Sequence, residues 1–355
     1  TAPDPSELST PSDWTELDTF DEAIGRIRAE EALERALVGE QAAFDWDSRI
    51  TNSEGASFTR ARGASALVTS SGFSGGDTGT YASIVVTPVA DDEGGKKRRG
   101  YHWSASRHYA TLDPSKAVGE EAARRTVAQL GAKKLKTQEL PVVFDRDAAR
   151  SILGLFAGCV LGGSIWRKSS YLVDRVGSKV ASDLVTIVDD PLLVRGPGTR
   201  PFDGEGLLSR RTRVVRGGEL ETFLLDTYSA RKLGLRSTAS ASRSPSGGIS
   251  ASTSNFRLEP GSLSREALIA DTPHGLYVTA MMGFGFNSVT GDFSRGASGF
   301  LIENGELGHP VSEVTISLNL DQLLQRIDAV ADDIDQRTSI ASPTFRVSSM
   351  TLAGG

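Results

Sequence analysis

ELPVVFDRDAARSILGLFAGCVLGG, residues 139–163, joins two kinds of element in one run. Its first seven residues read as a strand. The remainder is apolar at helical spacing and on more than one face, as a helix buried in a core must be. If the chain had a catalytic helix, this would be the candidate. Downstream, DLVTIVDDP (183–191), RTRVVRGGELETFLLD (211–226) and GLYVTAM (275–281) read as strands, the second a hairpin turned at Gly217-Gly218. The Ser/Gly/Ala-rich stretch 236–255 cannot build a core and reads as a mobile loop near a groove. SREALIA (264–270) is a short helix, and Asn304-Gly305 marks a tight hairpin in the Gly-rich run 283–306. A helix around residues 320–334 and strands at 343–348 and 350–355 complete the chain.

Upstream, Phe20, Ile24, Ile27, Leu33, Ala36 and Leu37 recur at helical spacing, which predicts an amphipathic helix over 18–38. FDWDSRI (44–50), ASALVTS (64–70) and YASIVVT (81–87) read as antiparallel strands joined by Gly/Ser turns. DDEGGKKRRG (91–100) is an exposed hairpin tip, and YHWSASRHY (101–109) is its returning strand. Asp113-Pro114 and Gly131 bracket a second helix over 115–131. The expected organisation is a linker over 1–17 following a missing N-terminal domain, a helix with antiparallel strands over 18–112, and a core domain over 113–355. The order predicts an α+β fold with large, mainly antiparallel sheets and packed helices, and no Rossmann alternation.

A chain of 355 residues buries a large core without staples. Its 39 Lys plus Arg against 45 Asp plus Glu, net −6, carry no nucleic-acid footprint and point to protein or peptide partners. No run of about 18 apolar residues occurs, so no membrane span is expected. The opening TAPDPSELSTPSDW lacks the charged and apolar regions of a signal peptide and begins without Met, which suggests truncation or processing. Cys159 is the only cysteine, which excludes an intrachain disulfide and suits a reducing, cytoplasmic compartment.

The four histidines, His102, His108, His274 and His309, have no i, i+4 or i, i+5 pair to clamp an ion on a helix. His102 and His108 share a strand face about 20 Å apart. Cys159 is a candidate nucleophile only in a polar, accessible pocket, and its apolar neighbours favour a buried structural thiol. The abundant serines have no signposted His-Asp partners. GGDTG and GFGFNS lack the phosphate-loop pattern, so their glycines serve turns or close chain approach. An exposed edge strand nearby could receive an extended peptide.

Five segments, in order, resemble the PmbA (TldE) branch of the TldD/PmbA family: residues 162–180, 201–206 (PFDGEG), 224–235 (LLDTYSARKLGL), 290–306 and 309–320. The resemblance implies a TldD/TldE heterodimer acting as a peptidase on unstructured peptides. In it the TldD subunit supplies a divalent metal, zinc, through an HExxxH helix and a later cysteine. The matching helix here, 154–163, has Phe156 and Ala157 and no His-Glu pair, and the region after Arg243 has no cysteine. The chain therefore resembles the subunit without metal ligands, needing no cofactor of its own.

Within these segments, Arg167, Lys168 and Ser169, and Asp292, Ser294 and Arg295, are candidates for lining the peptide channel or organising its loops. One structural expectation pairs Arg167 or Arg295 with Asp174, Asp203 or Asp292. Asp226 is expected to cap a short helix opening at Tyr228-Ser229. The leading expectation is a non-catalytic subunit that forms the substrate chamber with a TldD-like partner. A stand-alone homodimeric peptide-binding or scaffold protein, and a peptidase with an unconventional site at Cys159 or the Ser-rich loop, stay open.

Overall fold

The computed structural model describes residues 17–244 and 246–354. The linker expected over 1–17 lies, apart from Leu17, outside the described residues. The chain divides into two compact units, one of residues 18–65 and 77–133 and a larger one of 66–76 and 134 onward.

The smaller unit contains α1 (Glu22–Arg26), α2 (Ala29–Trp46), β1 (Ile50–Val68, whose last residues fall in the other unit), β2 (Ser74–Asp91, which begins there), β3 (Lys97–Arg99), β4 (His102–Ser106) and α3 (Ser115–Val127). The single helix expected over 18–38 is two. Asp21 caps the first by accepting from the Ala23 amide, and extended backbone at Ile27 and Arg28 ends it. The second runs through Phe44 and Trp46, which were expected in a strand, because Ala36, Gly39, Ala42 and Ala43 continue its buried face. That face meets α3 at close range. A Cβ on Gly119 would stand 2.0 Å from the Gly39 carbonyl oxygen, so only glycine permits the crossing. Val118, Ala122 and Ala123 of α3 share a core with Ile84 and Val86 of β2. Residues 115–127 therefore belong to this unit, not to the second domain in which the sequence order placed them. The strand expected at 101–109 stops at Ser106, and His108 instead lies 2.9 Å from the Asp18 carboxylate.

The larger unit contains β5 (Gln138–Phe144), α4 (Arg146–Cys159), α5 (Gly162–Trp166), β6 (Ile187–Asp189), β7 (Thr212–Arg216), β8 (Glu219–Leu220), α6 (Thr227–Leu233), β9 (Ala241–Arg243), β10 (Ile249–Ala251), β11 (Phe256–Leu258), α7 (Arg265–Ala270), β12 (His274–Met282), β13 (Asp292–Glu303), β14 (Glu306–Asn319), α8 (Leu320–Gln325), β15 (Ile327–Val330), β16 (Ile340–Ala341) and β17 (Phe345–Ala353). One sheet runs β14-β13-β12-β5-β17-β15, and a further β14–β17 pairing closes five of its strands into a ring. Its pairings are antiparallel except β5 with β12. A second sheet runs β16-β11-β6-β7-β8. This is the expected α+β architecture.

α4 follows β5 directly, its N-cap Asp145 accepting from the Asp147 amide and from the Tyr277 hydroxyl at 2.6 Å. Its residues Ile152, Leu153 and Phe156 pack with Phe144, Phe256 and Phe345 in the main core. The hairpins at Gly217-Gly218 and Asn304-Gly305 form where expected, with positive φ at all four residues.

Three expectations are corrected. The helix predicted over 320–334 stops at Gln325, because Ile327 to Val330 gain more as a strand beside β17. The two closing strands are one, with an irregularity between Val347 and Met350. The Ser-rich stretch is a hairpin, β9 with β10, and Ser237, Ser240, Ala241, Ser254 and Asn255 are buried around it. Its hydroxyls substitute for carbon by closing local hydrogen bonds, such as Ser237 Oγ donating to the Leu225 carbonyl at 3.1 Å. Among the described residues no helix is long and apolar enough to cross a membrane.

Candidate functional site

The C-terminal turn of α4 leads through Val160 and Leu161 into α5, clamped by two bonds to the strand-like segment before α6. Gly162 donates to the Leu224 carbonyl (2.8 Å), and Leu224 donates to the Val160 carbonyl (3.0 Å). A Cβ on Gly162 would meet Ser229 Oγ at 2.2 Å, which is why glycine stands at this junction. Phe156, Ala157 and Cys159 are all buried in the hydrophobic core. Burial pushes the Cys159 thiol up to about 11, against a smaller opposing effect of the Ser170 hydroxyl. A thiol in that state is a poor nucleophile and a poor metal ligand. Among the described residues no three His, Cys, Asp or Glu side chains are grouped to hold an ion. With only carbon and one buried thiol over residues 154–163, the donor set does not fit the divalent metal that the resemblance associates with the fold.

The chain just after the first polar block meets the loop just before the second. Lys168 takes a left-handed turn (φ 57), after which the Ser169 amide and hydroxyl both bond the Ser164 carbonyl. The chain then reaches the β12–β13 loop, where the Tyr171 amide donates to the Ser288 carbonyl at 2.8 Å. That loop is tied down from its far side. Asp292 accepts from Thr290 Oγ1 (2.6 Å) and Asn319 Nδ2 (3.2 Å), and these bonds hold its carboxyl below the usual range. The Ser294 amide donates to the Gly285 carbonyl at 2.8 Å. Between these anchors the loop projects Phe284, 97% exposed, with Met282 and Val289 also exposed.

Arg167 and Arg295 do not pair with Asp174, Asp203 or Asp292, contrary to expectation. Arg167 instead lies over the Trp166 ring (5.2 Å), Trp166 meets Tyr228 edge-on (5.7 Å), and Lys232 stands over Tyr228 (5.6 Å). The result is a surface row of two cations and two rings across α5 and α6. Arg295 is half-buried on β13, and its Nε has no hydrogen-bond partner among the described residues. Asp226 caps α6 as expected, accepting from the Ser229 amide at 2.7 Å.

The PFDGEG segment carries two buried acids, Asp203 and Glu205, near a third, Asp189; of these, Glu205 and Asp189 were not singled out in the sequence. Asp203 accepts from the amides of Glu205, Leu207 and Ala241 at 2.9 to 3.0 Å. Glu205 accepts from the Thr227 amide (2.9 Å) and hydroxyl (2.5 Å). Asp189 accepts from the Ser254 amide (2.8 Å) and hydroxyl (2.9 Å). Burial raises all three carboxyls, Asp189 to about 6. Arg200 supplies the facing positive charge while two of its nitrogens lack hydrogen-bond partners among the described residues. In the sequence these acids look like surface acids. The signal that was available was the placing of Asp203 and Glu205 just ahead of a turn glycine, Gly206 (φ 87).

Comparison with known proteins adds an independent line. Residues 22–130 match the family model described as the PmbA/TldA metallopeptidase central domain, and residues 137–354 match the C-terminal domain of the same family. The chain is 39% identical over 342 residues to metalloprotease PmbA of Escherichia coli O157:H7, covering 96% of this chain and 73% of that one. It is also 39% identical over 331 residues to the Haemophilus influenzae PmbA homolog, covering 92% and 71%. A Bacteroides thetaiotaomicron crystal structure, described as a candidate modulator of DNA gyrase, superposes with a TM-score of 0.91 at 29% identity, covering 99% of this chain and 77% of that chain. TldE from Thermococcus kodakarensis superposes with a TM-score of 0.85 at 23% identity, covering 98% and 79%, a likeness of fold alone.

Proposed function

Because the chain belongs to the PmbA/TldD metallopeptidase family, we propose that it is a non-catalytic, TldE-like subunit that helps a metal-bearing TldD-like partner capture unstructured peptides in the cytoplasm. The observation that carries this reading is the filling of α4. Phe156, Ala157 and a buried Cys159 stand on the helix where a metallopeptidase needs ionisable donors.

The metal, on the partner, would supply the Lewis acid and activated water of peptide hydrolysis. This chain's contribution is capture and orientation. The Arg167–Trp166–Tyr228–Lys232 row offers stacking and charge, and the loop anchored by Asp292 and Ser294 presents Phe284.

Metal analysis and a peptidase assay on the purified chain, alone and mixed with a TldD-like subunit from the same source, test the proposal. Metal and cleavage are expected only with the mixture. Stoichiometric metal and cleavage by this chain alone would overturn it. Peptide capture by a homodimer that ignores the TldD-like subunit would replace it with a stand-alone binding role.

A further inference from the structure

The smaller unit carries a cavity of about 550 Å³ that none of the foregoing uses. That volume lies within the ~300–1,000 Å³ typical of small-ligand sites. Its walls come from the first turns of α2, from Phe58 of β1 and from residues 109–116 leading into α3.

Arg35 is its most constrained polar group. Its Nη2 donates to Glu31 Oε1 at 2.8 Å, and its guanidinium lies 5.0 Å from the Tyr109 ring centroid and 5.8 Å from that of Phe58. Thus held, it leaves Nε buried with no hydrogen-bond partner among the described residues. Arg35 lines the cavity with about 26% of its side chain exposed, and a carboxylate is the acceptor that suits a guanidinium best. Lys116 adds positive charge from the first turn of α3, whose N-cap, Pro114, supplies no side-chain cap.

The lining is nonetheless not simply cationic. Glu31 is engaged by Arg35, whereas Glu34 is exposed and in no ion pair among the described residues, and Asp113 also contributes to the wall. Val38, Phe58 and Leu112 supply apolar surface. A simple anion would meet Glu34 and Asp113, and a simple cation would meet the charges of Arg35 and Lys116. The complement of both, with apolar surface, is a dipolar molecule with an amine, a carboxylate and aliphatic bulk.

We propose that this cavity binds a short peptide of a few residues with both ends free, its carboxylate at Arg35 and its amine at Glu34. The site would take peptidase products or their fragments, but it requires neither a metal nor a second subunit. It therefore stands or falls apart from the proposed function.

Titration calorimetry of the full chain with the tripeptide Ala-Leu-Leu is the test, alongside its N-acetylated and its C-amidated forms. Saturable binding of the free tripeptide is expected, with about tenfold or greater weakening on blocking either end, a step of the size that loss of one charged contact produces. Arg35→Gln should weaken the free tripeptide by a similar factor and remove discrimination against the amide. Glu34→Gln, at an exposed position, should leave the fold intact and remove discrimination against the acetylated form. Absence of saturable binding into the millimolar range would overturn the proposal, as would affinity indifferent to end-blocking or to Glu34→Gln.

Discussion

Two buried places in the larger unit solve the problem of burial in opposite ways. Around α4 the interior is carbon, with Ile152, Leu153 and Phe156 packed on Phe144 and Phe345 and even the one thiol shut away. Between Asp189 and Asn255 the interior admits three carboxylates and an arginine, each acid bonded to backbone amides or hydroxyls. Apolar burial is favourable by itself, whereas buried charge needs hydrogen-bonding or charged partners, which the acids find in amides and hydroxyls and Arg200 finds in the facing carboxyls. The contrast teaches that in this unit the ionisable groups are gathered away from α4 and bonded into the fold, while residues 154–163 present carbon and one thiol.

The largest expected effects strike each place at its centre. Asp203→Ala removes the acceptor of three backbone amides and the partner of Arg200, and should cost about 3–5 kcal/mol in urea denaturation. Phe156→Ala should cost a similar ~3–5 kcal/mol through a cavity. What separates the two is rescue: Phe156→Leu should recover much of the loss, and Asp203→Leu almost none.

Next in size is a pH effect. Asp189 has a folded-state pKa raised by burial to about 6, above its unfolded value of 3.8, so the folded chain holds its proton more tightly. Its contribution to stability is full below pH ~4 and is lost as pH rises through ~6, by up to about 3 kcal/mol. Denaturation midpoints measured across that window should show this descending component, and Asp189→Asn should flatten it. An unchanged slope in the variant would remove Asp189 from the account.

Cys159 offers a smaller test. In native protein the thiol should resist Ellman's reagent and react once guanidinium unfolds the chain, while Cys159→Ala should cost about 1 kcal/mol. Rapid native labelling would mean that the α4 core opens readily. Smallest of all, Arg167→Ala should change stability by no more than about 0.5 kcal/mol, because Arg167 is exposed and in no ion pair among the described residues. A clear loss of peptide capture at unchanged stability would assign Arg167 to binding.

Much of the architecture was legible from pattern. The β5–α4 run, the Asn304-Gly305 and Gly217-Gly218 turns and the Asp226 cap each rest on local rules, namely periodicity, positive φ and a side-chain acceptor three residues ahead of its donor. What misled was sequence whose local preference is weak. The segment 326–330 continues a helical pattern but is captured by β17, and Phe44 to Trp46 look like a strand but extend a helix whose buried face is Ala and Gly. At the candidate site, Asp292 and Ser294 were singled out because the segment around them was distinctive, and both make hydrogen bonds that anchor the β12–β13 loop. Asp189, Arg200 and Glu205 escaped because nothing in an acid's or an arginine's neighbours along the chain reports that it will be buried.

The sequence alone determined the absence of an HExxxH helix, the single cysteine, the alternation of strands and helices and the order of the family's segments, since these are properties of residue type and spacing. Only the tertiary structure decided that α3 packs in the smaller unit through a glycine crossing, that the Ser-rich stretch folds into a hairpin over buried acids, and that residues 167–171 meet the β12–β13 loop. These outcomes join positions tens to more than a hundred residues apart. Close approach, desolvation and hydrogen-bond closure between such positions exist only once the chain has brought them together.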